Sequence, residues 1–563
     1  MSYEIEYIQA KSGEPIVKVN SYLLHSKYDP IKEAQRICQK EYTENYVHIV
    51  FGYGMGYIVE ELKKSMKNEE AIIVVDPLKD ELNIIDEKVV STKDISIFKE
   101  QLENTLEHYS REVKVICSPN YEKIAMESYK SILQIVKDIQ MSNVVYDNTI
   151  QLWSEKWQEN SIHNLTLLAK DQPLTALYEL TNKPIIIASG GPSLNKQLPL
   201  LNDIRDNIIL IAAGSTINSL IKNEIIPDYV VSIDGGEANY KHFKDVESNG
   251  TRLIYGVSSH YKIQQEWKNE RFIFAGIEDR DLQHKVKKKY KVDLPLVAGG
   301  GSVANYCYSI AAKMTTGPIA FIGQDLAYTN LQSHALGNRA SKGLTKEYLL
   351  KRNAFITTDY QGKEVYSDYA FYSMKESFEH LARNNPHQPG VYNCTEGGIP
   401  MKGIENYPFR KFINEFIIPE NTYIHEINSF PQVNWQDIRS ELTNETKLYS
   451  VLEEACFNLV LNIKRDFHKK YFSPETLKKL KRTDAQLKEI IENELMIQSI
   501  MEPLIKQVLT KYKGNSQESE IAKFERVYQQ NITWYGGLQE IMKKMSKFTK
   551  SAIKLGDESI CKN

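Results

Sequence analysis

The chain has 563 residues, 42% hydrophobic and 25% charged, with 70 Lys and Arg against 73 Asp and Glu for a formal charge of −3. At roughly 100–200 residues per domain the length predicts about three domains, and the balanced composition argues against both a disordered chain and a dedicated nucleic-acid binder. Tyrosine is abundant, 34 against 18 Phe and 5 Trp, which suits polar-ligand clefts or partner faces, or is simply a habit of the sequence.

The opening MSYEIEYIQAKSGEP is acidic where a signal peptide needs a basic region and an apolar run, and no stretch approaches about 18 uncharged apolar residues. The chain therefore reads as neither exported by that route nor membrane-spanning. Cys38, Cys117, Cys307, Cys394, Cys456 and Cys561 form no C-x-x-C pair, so no zinc site or disulfide framework is indicated, and a reducing cytoplasm fits.

From Tyr42 to Ser118 the β-branched runs VHIVF (Val47 to Phe51), AIIVV (Ala71 to Val75) and VKVIC (Val113 to Cys117) alternate with helical text. Runs this continuous suit strands covered on both faces, which predicts a Rossmann-like α/β domain over 1–150. Gly52, Gly54 and Gly56 directly follow the first of these strands, and Asp76 ends the next, 20 residues beyond Gly56. Such glycines let backbone N–H groups approach a ligand at a helix N-terminus, while the acid can hold a ribose. The G-x-G-x-G spacing is nearer the methyltransferase version than the dinucleotide one, and tight strand-to-helix packing produces the same loop. A helical segment from Tyr121 to Leu180 carries Trp153 and Trp157 at i, i+4.

A second α/β alternation fills the predicted central domain, 151–434. Its strands are IIIA (from Ile185), NIILIAA (from Asn207), YVVSI (from Tyr229), RLIY (from Arg252), FIFAGI (from Phe272) and PIAFIG (from Pro318). Glycine-rich polar stretches follow several of them, at the carboxyl ends where open α/β sheets bind ligands. After about Trp435 the text is Lys- and Glu-rich and helical, with Leu487, Ile490, Ile491 and Leu495 on one face, predicting an all-helical domain over 435–563.

The central loops are Ser189-Gly190-Gly191-Pro192-Ser193, Gly214-Ser215-Thr216, Asp234-Gly235-Gly236-Glu237, Gly300-Gly301-Ser302 and Gly323-Gln324-Asp325. Proline suits a helix start, and serine can cap it or meet a phosphate oxygen. One such loop is as readily a tight turn; several in succession can build a cleft for a nucleotide or sugar.

GGPSL (Gly190 to Leu194), AAGST (Ala212 to Thr216), SIDGGE (Ser232 to Glu237), AGGGSVAN (Ala298 to Asn305), FIGQDLAY (Phe321 to Tyr328) and NCTEGG (Asn393 to Gly398), with the opening HSKYDP (His25 to Pro30), together resemble the motility-associated factor (Maf) family of flagellin glycosyltransferases. The resemblance spans roughly residues 22 to 410 and implies a central catalytic domain like that of bacterial sialyltransferases. It further implies transfer of a nonulosonic acid, such as pseudaminic or legionaminic acid, from a CMP-activated donor to Ser or Thr hydroxyls of flagellin, with inversion at the anomeric centre. By the same resemblance Ser189, Gly190, Gly191, Pro192 and Ser193 line the CMP phosphate and ribose, and Gly214, Ser215 and Thr216 lie near the nucleotide. Gly300, Gly301 and Ser302 meet phosphate or sugar, Gln324 and Asp325 bind at the strand end, and Thr395, Glu396 and Gly397 face the base.

The chemistry asks for stabilised phosphate charge, support for an oxocarbenium-like sugar and a base for the acceptor hydroxyl. His334 is one candidate base, one short loop beyond Gln324-Asp325. Asp325 and Asp234 are its rivals, and His260 is a fourth. The sialyltransferases carry their histidine farther downstream, where this chain has Tyr366-Ser367-Asp368-Tyr369. Asp234 and Glu237, three apart, loosely resemble a D-x-D motif whose hard oxygens would take Mg²⁺ or Mn²⁺. A CMP donor has less need of a metal, so the pair reads as substrate-contacting first, turn-forming second and metal-binding third. Three alternatives stay open: a pterin diphosphokinase-like enzyme on the same loops, a flagellin-binding chaperone or export factor without catalysis, and methyl transfer at Gly52 to Gly56.

Overall fold

The computed structural model describes residues 3–560 except 68–69, 109–111, 385, 388, 419–421, 494–495 and 515–517; Leu495 and Cys561 of the sequence reading lie outside the described residues. The chain forms two compact units, Met1–Thr149 and Ile150–Asn563. Among the described residues, no helix is long and apolar enough to cross a membrane.

The first unit is built on a four-stranded parallel sheet, in the order Val89–Ser91, Ala71–Asp76, Val47–Phe51, Val113–Cys117. Every residue of Val47–Phe51 is buried, as an unbroken apolar run in a central parallel strand requires. A three-stranded antiparallel sheet precedes it. HSKYDP is a helix start: Asp29 accepts from the Lys32 N–H at 3.0 Å, and Pro30 opens the helix Pro30–Glu41.

The second unit carries a larger sheet whose strands all run parallel. Its order is Leu296–Val297, Arg271–Gly276, Arg252–Gly256, Tyr229–Ser232, Ile209–Ala213, Ile185–Ala188, Ile319–Ile322, Val391–Asn393, Glu405–Asn406, with Gln172–Pro173 pairing Arg271–Gly276 beside this path. From Ile185–Ala188 the chain builds outward in one direction as far as Leu296–Val297. It then returns to add Ile319–Ile322 on the other side of the Ile185 strand. That reversal is a topological switch point, and a crevice opens outside the carboxyl ends of strands at such a place.

Helices cover both faces of this sheet. The helices Trp435–Asp466, Pro474–Asn493, Gln498–Lys511 and Glu520–Ile560 supply the helical C-terminal text expected from the sequence. Their apolar sides join one hydrophobic core with one face of the sheet: Tyr449, Leu538 and Met542 belong to the same cluster as Leu210 and Leu253. A buried ion pair reinforces the contact, with Lys289 Nζ 2.7 Å from Glu445 Oε1.

Candidate functional site

Two strand ends flank the switch point, and their loops are locked together. Ser189 Oγ donates to Gln324 Oε1 at 2.6 Å, and Asp325 Oδ2 accepts from the Ser193 N–H at 3.2 Å and the Ser193 hydroxyl at 2.7 Å. The other Asp325 oxygen accepts from Thr329 Oγ1 at 2.6 Å, and the Gln324 N–H donates to Thr395 Oγ1 at 2.9 Å. The loops approach so closely that a Cβ on Gly191 would lie 2.2 Å from Asp325 Oδ2, and one on Gly397 would lie 3.1 Å from Oδ1. Leu326, next in the chain, holds a left-handed φ of 52°, an unusual backbone for a branched side chain.

This network shows how several of the expected site residues are held. Ser189, Ser193, Gln324, Asp325 and Thr395 are all buried, and their polar groups serve one another. Pro192 and Gly397 are buried with them. Ser193 does not cap the helix that follows, because its hydroxyl is committed to Asp325. Asp325 is no free base either: burial raises its carboxyl pKa while the Ser193 and Thr329 hydrogen bonds oppose the rise, and both oxygens are occupied. Glu396 is half-buried, and its carbonyl accepts from Lys196 Nζ at 3.1 Å.

The open side of the cleft begins at Gly190. A Cβ there would meet Asn338 Nδ2 at 3.2 Å, Thr216 Oγ1 at 3.3 Å and His334 Cδ2 at 3.5 Å. Asn338 in turn donates to Ser215 Oγ at 3.1 Å. Gly214, at φ 53°, backs onto Val303, the first residue of the helix Val303–Met314. Ahead of that helix Gly300 and Gly301 are exposed. Ser302 is its cap, accepting from the Asn305 N–H at 3.4 Å, so its hydroxyl orders the helix start. The partial positive charge of that helix end, with glycine backbone exposed beside it, suits an anionic group.

Asp234 and Glu237 part company. Glu237 Oε2 lies 3.2 Å from Nε2 of His260, a buried ring stacked between Tyr240 and Tyr261 at centroid distances of 5.1 and 5.6 Å. His260 is thereby held and is not a free base. The Asp234 side chain is exposed, yet surrounding protein raises its pKa by desolvation. Its backbone carbonyl is bonded, while its carboxyl accepts no hydrogen bond and joins no ion pair among the described residues. No three His, Cys, Asp or Glu side chains among the described residues form a metal-binding group.

The glycines between these acids serve packing. A Cβ on Gly235 would lie 2.8 Å from Trp157 Cδ1, and one on Gly236 would lie 2.8 Å from the Trp153 ring. The Trp pair noted in the sequence therefore explains the glycine pair. Sequence reading missed a polar cluster that Asp234 acts on. Tyr306 donates to Glu278 Oε1 at 2.6 Å, and Asp279, beside Glu278, is pushed up to about 7 by burial and then by the neighbouring charge. Asp234 acts electrostatically on Tyr306. The signal available was IED directly after FIFAGI, at the carboxyl end of a strand.

The N-terminal glycine loop turns inward. Gly52, Gly54 and Gly56 have φ of 97°, 56° and 82°, but their N–H groups are used at home. Asp76 Oδ2 accepts from the Tyr53 N–H at 2.6 Å and from Tyr121 Oη at 2.7 Å. Gly54 donates to Tyr121 Oη at 3.0 Å, Met55 to His25 Nε2 at 3.0 Å, Gly52 to the Val75 carbonyl and Gly56 to the Tyr53 carbonyl. Asp76 is fully buried, so it organises this loop where a ribose contact was expected. The glycines exist because the rings of Tyr121, His25 and Tyr53 fill the space their side chains would need.

Residues 159–331 match the family described as MptE-like, 6-hydroxymethylpterin diphosphokinase MptE-like. A MAf glycosyltransferase is a structural neighbour of the chain. That structure, from Magnetospirillum magneticum AMB-1, shares 13% identity at a TM-score of 0.49, over 98% of this chain and 91% of the other. No curated protein matches the chain in sequence. The MptE-like segment contains the loops from Ser189 to Asp325 and stops short of His334 and Thr395.

Proposed function

We propose that the chain is a cytoplasmic glycosyltransferase that moves a nonulosonic acid from a CMP-activated donor to Ser or Thr hydroxyls of flagellin. The observation that carries this reading is the cleft itself. Exposed backbone at Gly300 and Gly301 and half-buried backbone at Gly190 and Ser215 lie at the carboxyl ends of the strands, and the exposed Asp234 carboxylate has no hydrogen-bond or ion-pair partner among the described residues. The Val303 helix end and the glycine loops receive the phosphate charge as the bond from the anomeric carbon to the phosphate oxygen breaks. The acceptor hydroxyl oxygen bonds to that carbon, and its proton passes to Asp234. Asp234 suits the role better than Asp325, whose oxygens are occupied, or His334, whose Nδ1 is buried without a partner.

The test is the intact mass of flagellin co-expressed with this protein and a nonulosonic-acid pathway. Steps of one sugar are expected with the native chain, and a rate lower by about 10²–10⁴ with Asp234→Asn. Unmodified flagellin that still co-purifies, with activated sugar present, would favour a binding factor. The MptE-like match favours a second reading, a pterin diphosphokinase. Thermal stabilisation separates the two: CMP or CTP is expected to add about 2.7 kcal/mol at 100 times its dissociation constant, and a pterin kinase would respond to ATP instead.

A further inference from the structure

A cavity of about 630 Å³ opens beside the last turn of the helix Glu237–Phe243, bounded by Trp267 and by the loop 244–250. Its size is that of a ligand pocket. Phe243 and Trp267 supply its apolar lining; both are buried, and their rings meet edge to face at 6.1 Å. Left-handed backbone at Asp245, Asn249 and Gly250 turns the loop, and its ends are pinned. The Val246 N–H donates to the Phe243 carbonyl at 3.0 Å, while Trp267 Nε1 and Asn269 Nδ2 both donate to the Thr251 carbonyl at 3.1 Å.

Carboxylates outnumber cations around this cavity: Asp245, Glu247 and Glu266 line it against Lys268. All four residues are exposed. Glu266 accepts from the Tyr240 hydroxyl at 2.7 Å, whereas the carboxyls of Asp245 and Glu247 make no hydrogen bond or ion pair among the described residues. An apolar lining under an excess of unpaired negative charge fits a long cationic side chain. Its methylene stem covers the rings while its head meets the carboxylates.

Direct contacts join the cavity to the candidate base. The His260 N–H donates to the Asp234 carbonyl at 3.1 Å, Glu237 Oε2 lies 3.2 Å from His260 Nε2, and the His260 ring stacks on Tyr240 at 5.1 Å. Tyr240 then reaches Glu266 on the cavity wall. The helix between the two places has seven residues, a rise of about 10 Å, which an extended peptide spans in about three residues.

We propose that this cavity takes a Lys or Arg side chain of the acceptor polypeptide, about three residues from the hydroxyl that receives the sugar. The proposal rests on the transferase reading and names what is recognised in the acceptor besides that hydroxyl. Asp245 and Glu247 select the cation and do not touch the reacting atoms.

The experiment compares the full-length native protein with the double variant Asp245→Asn, Glu247→Gln. Asn tolerates left-handed backbone as Asp does, so the variant removes charge without straining the loop. Binding of unglycosylated flagellin is measured by calorimetry at about 50 mM and about 300 mM salt. The native protein is expected to bind more weakly at the higher salt. At the lower salt the variant is expected to bind about tenfold more weakly than the native protein, with a flatter salt dependence. In the transfer assay the loss is expected in the KM for flagellin, not in kcat. Flagellin with Gln in place of the basic residues nearest its modified hydroxyls is expected to lose affinity for the native protein but little more for the variant.

Equal flagellin affinity and KM in the native protein and the variant overturn the proposal and leave the transferase reading standing. Spermidine, added alone, tests a free polyamine: if it binds the native protein and not the variant while flagellin binding is unchanged, the acceptor role is overturned. If the native protein neither binds nor modifies flagellin with activated sugar present, the transferase reading falls and the proposal with it. Should the variant fold poorly, the Gln-substituted flagellin decides against the native protein alone, and an unchanged affinity overturns the proposal.

Discussion

Ser193 gives Asp325 both its backbone N–H and its hydroxyl, and this one carboxylate joins strand ends 132 residues apart in sequence. Removing it strands several donors in a buried place. Asp325→Ala is expected to lower unfolding free energy by about 3 kcal/mol and Ser193→Ala by about 1–2 kcal/mol, read from denaturant midpoints. Equal stability in Asp325→Ala would mean that the loops are held by other contacts.

Gly236 lies against the Trp153 ring with no room for a methyl group. Gly236→Ala is expected to cost about 2 kcal/mol, as overpacking does, and Trp153→Ala to relieve that cost in the double variant. A double-mutant cycle with a coupling near zero would show that the contact is not responsible.

His163 is buried, stacks on Tyr261 at 4.2 Å and has neither ring nitrogen hydrogen-bonded. Burial pushes its pKa down from 6.5 to about 4. A depressed histidine contributes stability above its unfolded pKa that is lost as pH falls toward the folded value. Here that loss reaches about 3 kcal/mol between pH 6.5 and 4. His163→Phe keeps the stack and removes the titration. Its unfolding free energy is expected to fall less steeply than the native chain's over that interval, and a parallel pair of curves would refute the assignment.

Lys289 and Glu445 are a buried pair linking the sheet's helices to the C-terminal ones. Lys289→Met is expected to cost about 3–5 kcal/mol by leaving Glu445 without its cation, while Lys289→Met combined with Glu445→Leu recovers most of the loss. Urea unfolding of the three chains measures this; a double variant no better than the single one would contradict it.

The Gly52 to Gly56 loop has committed its donors to protein groups. Addition of S-adenosylmethionine is therefore expected to leave the melting temperature unchanged. Gly54→Ala is expected to destabilise by about 2 kcal/mol, because its φ is +56° and His25 occupies the space. A melting shift with S-adenosylmethionine would reopen methyl transfer.

The parallel strands were legible because a strand covered on both faces must be apolar without interruption, and Val47–Phe51 and Ile185–Ala188 are local runs of that kind. The positions of the polar loops followed from the same runs, since each loop begins where its strand ends. Which loops remain open was decided only by tertiary structure. Gly52-Tyr53-Gly54 and Ser189-Gly190-Gly191 look alike as text, but Asp76 and Tyr121 consume the donors of the first, while Asp325 braces the second from beneath and leaves Gly190 facing the cleft. Likewise Gly235 and Gly236 read as ligand backbone until Trp153 and Trp157 arrive from a helix about 80 residues earlier. The role of a glycine or a carboxylate depends on what occupies the space beside it and satisfies its hydrogen bonds. Those neighbours are brought there by the fold, across distances that local sequence does not encode.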